Sequence, residues 1–245
     1  MRRHILLVSA LLASLCVHAE NRVVEVIRFD IDGDGKPDRI LLSDVNDAGA
    51  DDNDRKDGNY TRIDLFLGGS KHHAFLNPDR WIRFDRNAED RSRITGSARN
   101  LITSGRLILV DTVEGDRLLL AIGRPYASDP DLLSVYRISK SGVKQVMREN
   151  IDLLKVADID HDGRTDIVGR QTSEGMGPKC SSYDPNLVYT LGDRFRSNRR
   201  LTEKYDRKAE GFFAADNSKY FVLTRKDGKR VLLPSDQQGR CDRPQ

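Results

Sequence analysis

One acidic pattern occurs twice in this chain, as Asp30-Ile31-Asp32-Gly33-Asp34-Gly35-Lys36-Pro37-Asp38 and as Asp158-Ile159-Asp160-His161-Asp162-Gly163-Arg164-Thr165-Asp166. Both read D-x-D-x-D-G-x-x-D. Four carboxylates at positions 1, 3, 5 and 9 repel one another unless a cation offsets their charge. Calcium suits the spacing because it takes six to eight oxygen ligands in a loose geometry, a backbone carbonyl at position 7 among them. The expected ligands are Asp30, Asp32, Asp34, Lys36 and Asp38 in the first loop, and Asp158, Asp160, Asp162, Arg164 and Asp166 in the second, with Lys36 and Arg164 contributing carbonyl oxygens. Gly35 and Gly163 at position 6 permit a sharp turn through positive φ. A metal-free hairpin turn also favours Asp and Gly. It calls for one or two Asp, not four at ligand spacing.

The loops match an EF-hand for nine residues and then depart from it. An EF-hand places a bidentate Glu at position 12 and a helix on either side, whereas position 12 here is Leu41 or Gly169. The flanking runs, such as Val23-Val-Glu-Val-Ile-Arg-Phe29 and Arg39-Ile-Leu-Leu-Ser43, lean towards β structure. Each loop is therefore expected to join strand to strand.

Phe29 to Asp38 and Ala157 to Val168 resemble the loop of FG-GAP or VCBS repeats, the building units of calcium-binding β-propellers. The likeness covers about a dozen residues at each site and implies an all-β fold with two calcium ions. Blade-closing hairpins are expected at Thr61–Gly69, Leu133–Val143 and Leu187–Asp193, with a fourth at Tyr220–Leu233; each combines β formers with Gly or Asp-Gly punctuation. Residues 107–120 read as a shortened blade opening that has lost its ligands. The length after the leader suffices for about four blades, so the expectation is one domain over residues 20–245, a small or degenerate β-propeller. A four- or five-bladed ring, an incomplete ring and a ring completed by a second copy all remain open.

The acidic segment 44–60 reads as an insertion, whose spacing misses a third calcium site by one residue. Ile82-Arg-Phe-Asp85 echoes Ile27-Arg-Phe-Asp30 and then decays. At the start of the chain, a basic tetrad, an apolar run over residues 5–17 and Val17-His-Ala19 have the form of a cleaved secretory signal, giving residues 1–19 as leader and a periplasmic or secreted location. The apolar run is too short to span a membrane as a helix. Export would leave Cys180 and Cys241, either as free thiols or as a disulfide closing a loop of about sixty residues, worth roughly 4 kcal/mol on the chain-entropy model. The chain has 41 Lys and Arg against 38 Asp and Glu, and Arg2 and Arg3 lie in the leader. So near-neutral a protein carries no field suited to nucleic acid.

Two basic stretches stand out, residues 80–99 and 194–208. They read either as solvated loops or as contacts for an anionic partner. Trp81 is expected in the core or as an interface anchor. His72 and His73 are expected in a surface hairpin, and His161 at position 4 of the second loop points away from the ion. No G-x-S-x-G, H-E-x-x-H or phosphate-binding glycine loop is present, and no catalytic residue can be named. The leading expectation is an exported, non-enzymatic calcium-binding module that recognises a protein or glycan of the cell envelope, for instance a periplasmic immunity or inhibitor protein. The rival is a secreted calcium-dependent hydrolase of a glycan or phosphoester.

Overall fold

The computed structural model describes residues 21–45, 56–68, 71–83, 102–123, 130–139, 141–171 and 180–240. The expected leader, most of the acidic segment 44–60, most of the first basic stretch and Cys241 lie outside the described residues. The strands form four antiparallel sheets, none closed on itself. The first holds β1 (Arg22–Phe29), β2 (Asp38–Asp44), β3 (Tyr60–Leu67) and β4 (Lys71–Trp81) in chain order. The second likewise runs in sequence through β5 (Ile102–Thr103), β6 (Leu107–Asp111), β7 (Arg117–Gly123), β8 (Leu132–Ser139) and β9 (Gly142–Asn150). The third pairs β10 (Asp152–Ala157), β11 (Asp166–Arg170), β13 (Asn186–Leu191) and β14 (Phe195–Ser197). The intervening β12 (Cys180–Ser182) leaves to join β15 (Tyr220–Thr224) and β16 (Arg230–Pro234). All four expected hairpins form, as does the shortened opening between β6 and β7.

Alternation along β6 and β7 explains how three of these sheets stack. Leu107, Leu109, Leu119 and Ala121 face the first sheet, where they meet Ile40, Leu42, Ile63, Leu65 and Trp81. Ile108, Val110, Leu118, Leu120 and Ile122 face the third, against Ile151, Val156, Ile167 and Tyr189. A strand covered on both faces must be apolar at every position, which accounts for the unbroken runs Leu107-Ile-Leu-Val110 and Leu118-Leu-Leu-Ala-Ile122. Burying each such Leu or Ile contributes about 1.5–3 kcal/mol. Trp81 is 1% exposed, with its ring 5.5 Å from that of Tyr60, so it belongs to the core.

The two ends of the stack are finished differently. The outer face of the first sheet is polar: Arg62 and His72 both bond Asp64, His72 stacks on Phe66, and Arg39 lies over the other side of that pairing, 4.1 Å from the Phe66 ring centre. His72 and His73 lie on β4, and His72 is exposed. The outer face of the third sheet is covered by helix α1 (Arg199–Glu210), whose Leu201 and Tyr205 pack on Val168 and Val188. This corrects the reading of 194–208 as a solvated loop. Asn198 caps the helix by accepting from the Leu201 N–H, and Gly211 ends it in the left-handed conformation. Its buried Asp206 accepts bonds from Tyr183 and Asn186, pinning α1 to the sheet. Cys180 is buried at the edge of the fourth sheet and is disulfide-bonded. Among the described residues no helix is long and apolar enough to cross a membrane.

Candidate metal centre

The first and third sheets each open with the acidic loop. In register, Phe29 faces Asp38 and Ala157 faces Asp166, so both loops span the eight residues between equivalent strand ends. Gly35 and Gly163 take positive φ, 82° and 84°, as expected for position 6. Position 4 does so too. Gly33 adopts φ 76° without strain, whereas His161 sits exposed at φ 63°, a conformation costly for a residue with a Cβ.

Within each loop the carboxylates fold the backbone around themselves. Asp30 accepts from the Gly33 and Gly35 N–H groups at 2.8 and 3.0 Å; Asp158 accepts from Asp162 and Gly163, both at 3.1 Å. Side-chain oxygens of Asp30, Asp32 and Asp38 come within 4.8 Å of one another, as do those of Asp158, Asp160 and Asp166. Oxygens sharing an ion at 2.3–2.6 Å stand within about 5 Å of each other, so three of the four expected carboxylates in each loop meet the distance a shared cation requires. Asp34 and Asp162 lie outside these clusters. Asp34 accepts from the Lys36 N–H at 2.8 Å. Asp162 accepts from the Arg164 N–H and holds the Arg164 guanidinium as well. That guanidinium keeps the Asp162 carboxyl below the usual carboxylate range. Lys36 and Arg164 are exposed at the loop tips.

The two position-9 carboxylates are both buried but differ in their partners. Asp38 is 2% exposed; its Oδ2 accepts from Ile31 and Asp32, and its Oδ1 from the Gly68 N–H at 2.8 Å, across the sheet. Asp166 is 0% exposed. Its Oδ2 accepts from Ile159 at 2.9 Å, but its Oδ1 has no hydrogen-bond partner. The glycine that follows β13, Gly192, donates instead to the Arg194 carbonyl; the Thr190 hydroxyl opposite Asp166 accepts from Asn198 and keeps its own proton, which favours the Asp166 carboxylate without completing a hydrogen bond to Oδ1. Burial lifts the Asp166 carboxyl above the usual range; Asp160 and Asp162 add to the rise, and the neighbouring Thr190 and Ile159 only partly offset it. A buried acceptor left unpaired costs about 1–3 kcal/mol. A cation among Asp158, Asp160 and Asp166 fits what this oxygen lacks. All the donors are hard oxygens, which suit calcium or magnesium rather than a softer metal. A bound ion would supply the positive charge that lets the three carboxylates stay ionised together.

The middle sheet has a stand-in for such an ion. In its β6–β7 hairpin Asp111 faces Arg117, so an arginine occupies the strand position held by Asp38 and Asp166 in the other two sheets. Arg117 pairs with Asp111 at 2.6 Å and donates to the Asp30 and Ile31 carbonyls of the first loop at 2.7 and 2.9 Å. From the same turn Glu114 accepts from the N–H and hydroxyl of Thr165 in the second loop, at 3.1 and 2.9 Å. The shortened hairpin therefore buttresses both acidic loops. That this turn lacks the acidic pattern was legible in sequence, but the tethers made by Arg117 and Glu114 were not, because nothing local marks them.

Comparison with known proteins found no matching family model, no matching curated protein and no matching solved structure.

Proposed function

We propose that this chain is an exported calcium-binding β protein that acts by recognition rather than catalysis, with two ions fixing the loops at one end of an open stack of propeller-like blades. The observation that carries the reading is the pair of three-carboxylate clusters, one of which holds a fully buried oxygen without a partner. The likeness to FG-GAP and VCBS loops gives it a precedent in fold. The carboxylates of each loop are also bonded to their own loop backbone. That suits a structural ion better than an acid or base, which must be free to exchange a proton with substrate. The leader-like first nineteen residues support a periplasmic or secreted location. The partner class is a protein or glycan of the cell envelope, and a periplasmic inhibitor or immunity protein is one specific form of this role.

Affinity capture from native envelope extract, eluted with chelator, tests the proposal. It predicts a defined protein or glycan released when calcium is removed. Calcium-dependent turnover of a glycan or phosphoester, abolished by one Asp, Glu or His substitution outside the two loops, would contradict it and favour a hydrolase.

A further inference from the structure

Beside the second acidic loop, between the β13–β14 hairpin and the start of α1, lies a cleft of about 490 Å3 whose lining includes Arg164, Arg194, Arg196 and Arg199. Asp193 is its one acidic lining residue. The local fold dictates this gathering. Phe195 turns into the core, so the period-2 alternation of the strand puts Arg194 and Arg196 together on the opposite side. Asn198 then caps α1, and Arg199 follows at once as its first residue.

Several other arginines among the described residues are bound to carboxylates: Arg62 to Asp64, Arg106 to Glu25, Arg117 to Asp111 and Arg137 to Asp116. Arg164, too, is held by Asp162. Arg194, Arg196 and Arg199 are exposed and, among the described residues, enter no ion pair with a carboxylate. Three unpaired guanidiniums with one acid between them make a surplus of positive charge in a concave site, where field lines concentrate. The helix adds donors to it. Its first turn contains no acidic residue, and with Asn198 capping the Leu201 N–H, the Arg199 and Arg200 N–H groups have no intrahelical partner. Planar, forked guanidiniums match phosphate oxygens, and the volume falls in the range of small-ligand sites.

We infer that this cleft binds a phosphate monoester, the guanidiniums of Arg194, Arg196 and Arg199 taking its oxygens and the opening of α1 supporting its charge. The arginine cluster carries the inference, and the helix terminus only adds to it. It gives the proposed recognition role a ligand class and rests on that reading for its biological meaning, not for the binding itself. Phosphate monoesters occur both on soluble sugars and on lipid headgroups.

The test titrates the full chain at fixed ionic strength with glucose 6-phosphate by calorimetry. A parallel arm measures co-sedimentation with phosphatidylcholine vesicles, with and without phosphatidic acid. Saturable binding is expected in at least one arm, weakened about tenfold or more by the Arg194→Gln, Arg196→Gln double variant. Lys204→Gln with Lys208→Gln, farther along α1, should leave it unchanged. Binding to the sugar phosphate assigns a soluble ester, and binding to phosphatidic acid vesicles alone assigns a headgroup. No saturable binding in either arm, or equal weakening by both double variants, overturns the inference. The calcium-induced shift in melting temperature, read on the same samples, separates failure of this cleft from failure of the metal loops.

Discussion

Asp38 and Asp166 end the same nine-residue pattern, begin equivalent strands and are both buried, yet one has donors for both oxygens and the other does not. The difference lies in a neighbour: Gly68 donates to Asp38, while Gly192, at the corresponding sheet turn, is occupied by Arg194. The first loop also has Gly33 where the backbone turns left-handed, and the second has His161. So the first loop is close to satisfied by protein alone, and the second stores cost that a cation relieves. An identical motif does not imply an identical dependence on its ion.

Removing each position-9 carboxylate in the presence of chelator should separate the two loops most clearly. Asp38→Ala strips an acceptor from three N–H groups, including that of the fully buried Ile31, and should cost about 3 kcal/mol of unfolding free energy in denaturant melts. Asp166→Asn removes an uncompensated buried charge and should fall within about 1 kcal/mol of the native chain, or above it. Equal losses would erase the distinction between the loops.

The buttress from the middle sheet permits a finer division. Arg117→Met removes donors to the Asp30 and Ile31 carbonyls and should destabilise the protein by about 1–2 kcal/mol. Calcium calorimetry should show the loss of affinity at the first loop and not the second. Glu114→Gln should do the reverse through Thr165, with the smaller effect. His161→Gly should relieve the left-handed residue and raise the stability of the chelated protein by about 1 kcal/mol, while Gly33→Ala should lower it by a similar amount.

The loops and hairpins were legible because their determinants are local: ligand spacing within nine residues, and alternation ending in Gly or Asp-Gly. What gives the two loops their different character was not, since Gly68 and Asp38 are 30 residues apart, and Arg117 and Asp30 are 87 apart. The helix over 199–210 was hidden for another reason. Its inner face has only Leu201 and Tyr205 as apolar residues, and the buried positions beside them, Thr202 and Asp206, are polar. Periodicity read from hydrophobic residues alone misses such a face. The surviving signals were its end caps, Asn198 and Gly211.

The smallest predicted effect is one of pH. Because the native state holds the Asp166 proton more tightly than the unfolded chain does, the native state binds more protons, and stability falls as pH rises. In chelator, the Asp166 contribution is full below the ordinary Asp value of about 3.9 and is lost as pH climbs through the raised native value. Asp166→Asn should remove that slope, as should saturating calcium. Melts across this window check both.

The most direct test of the two metal loops is calcium calorimetry of chelator-stripped protein followed by thermal melts. It predicts two ions bound per chain and a higher melting temperature in calcium, since an ion that binds only the native state stabilises it by linkage. Asp160→Ala should abolish the second site and leave the first. No heat of binding and no thermal shift at about millimolar calcium, well within the range of extracellular sites, would contradict it.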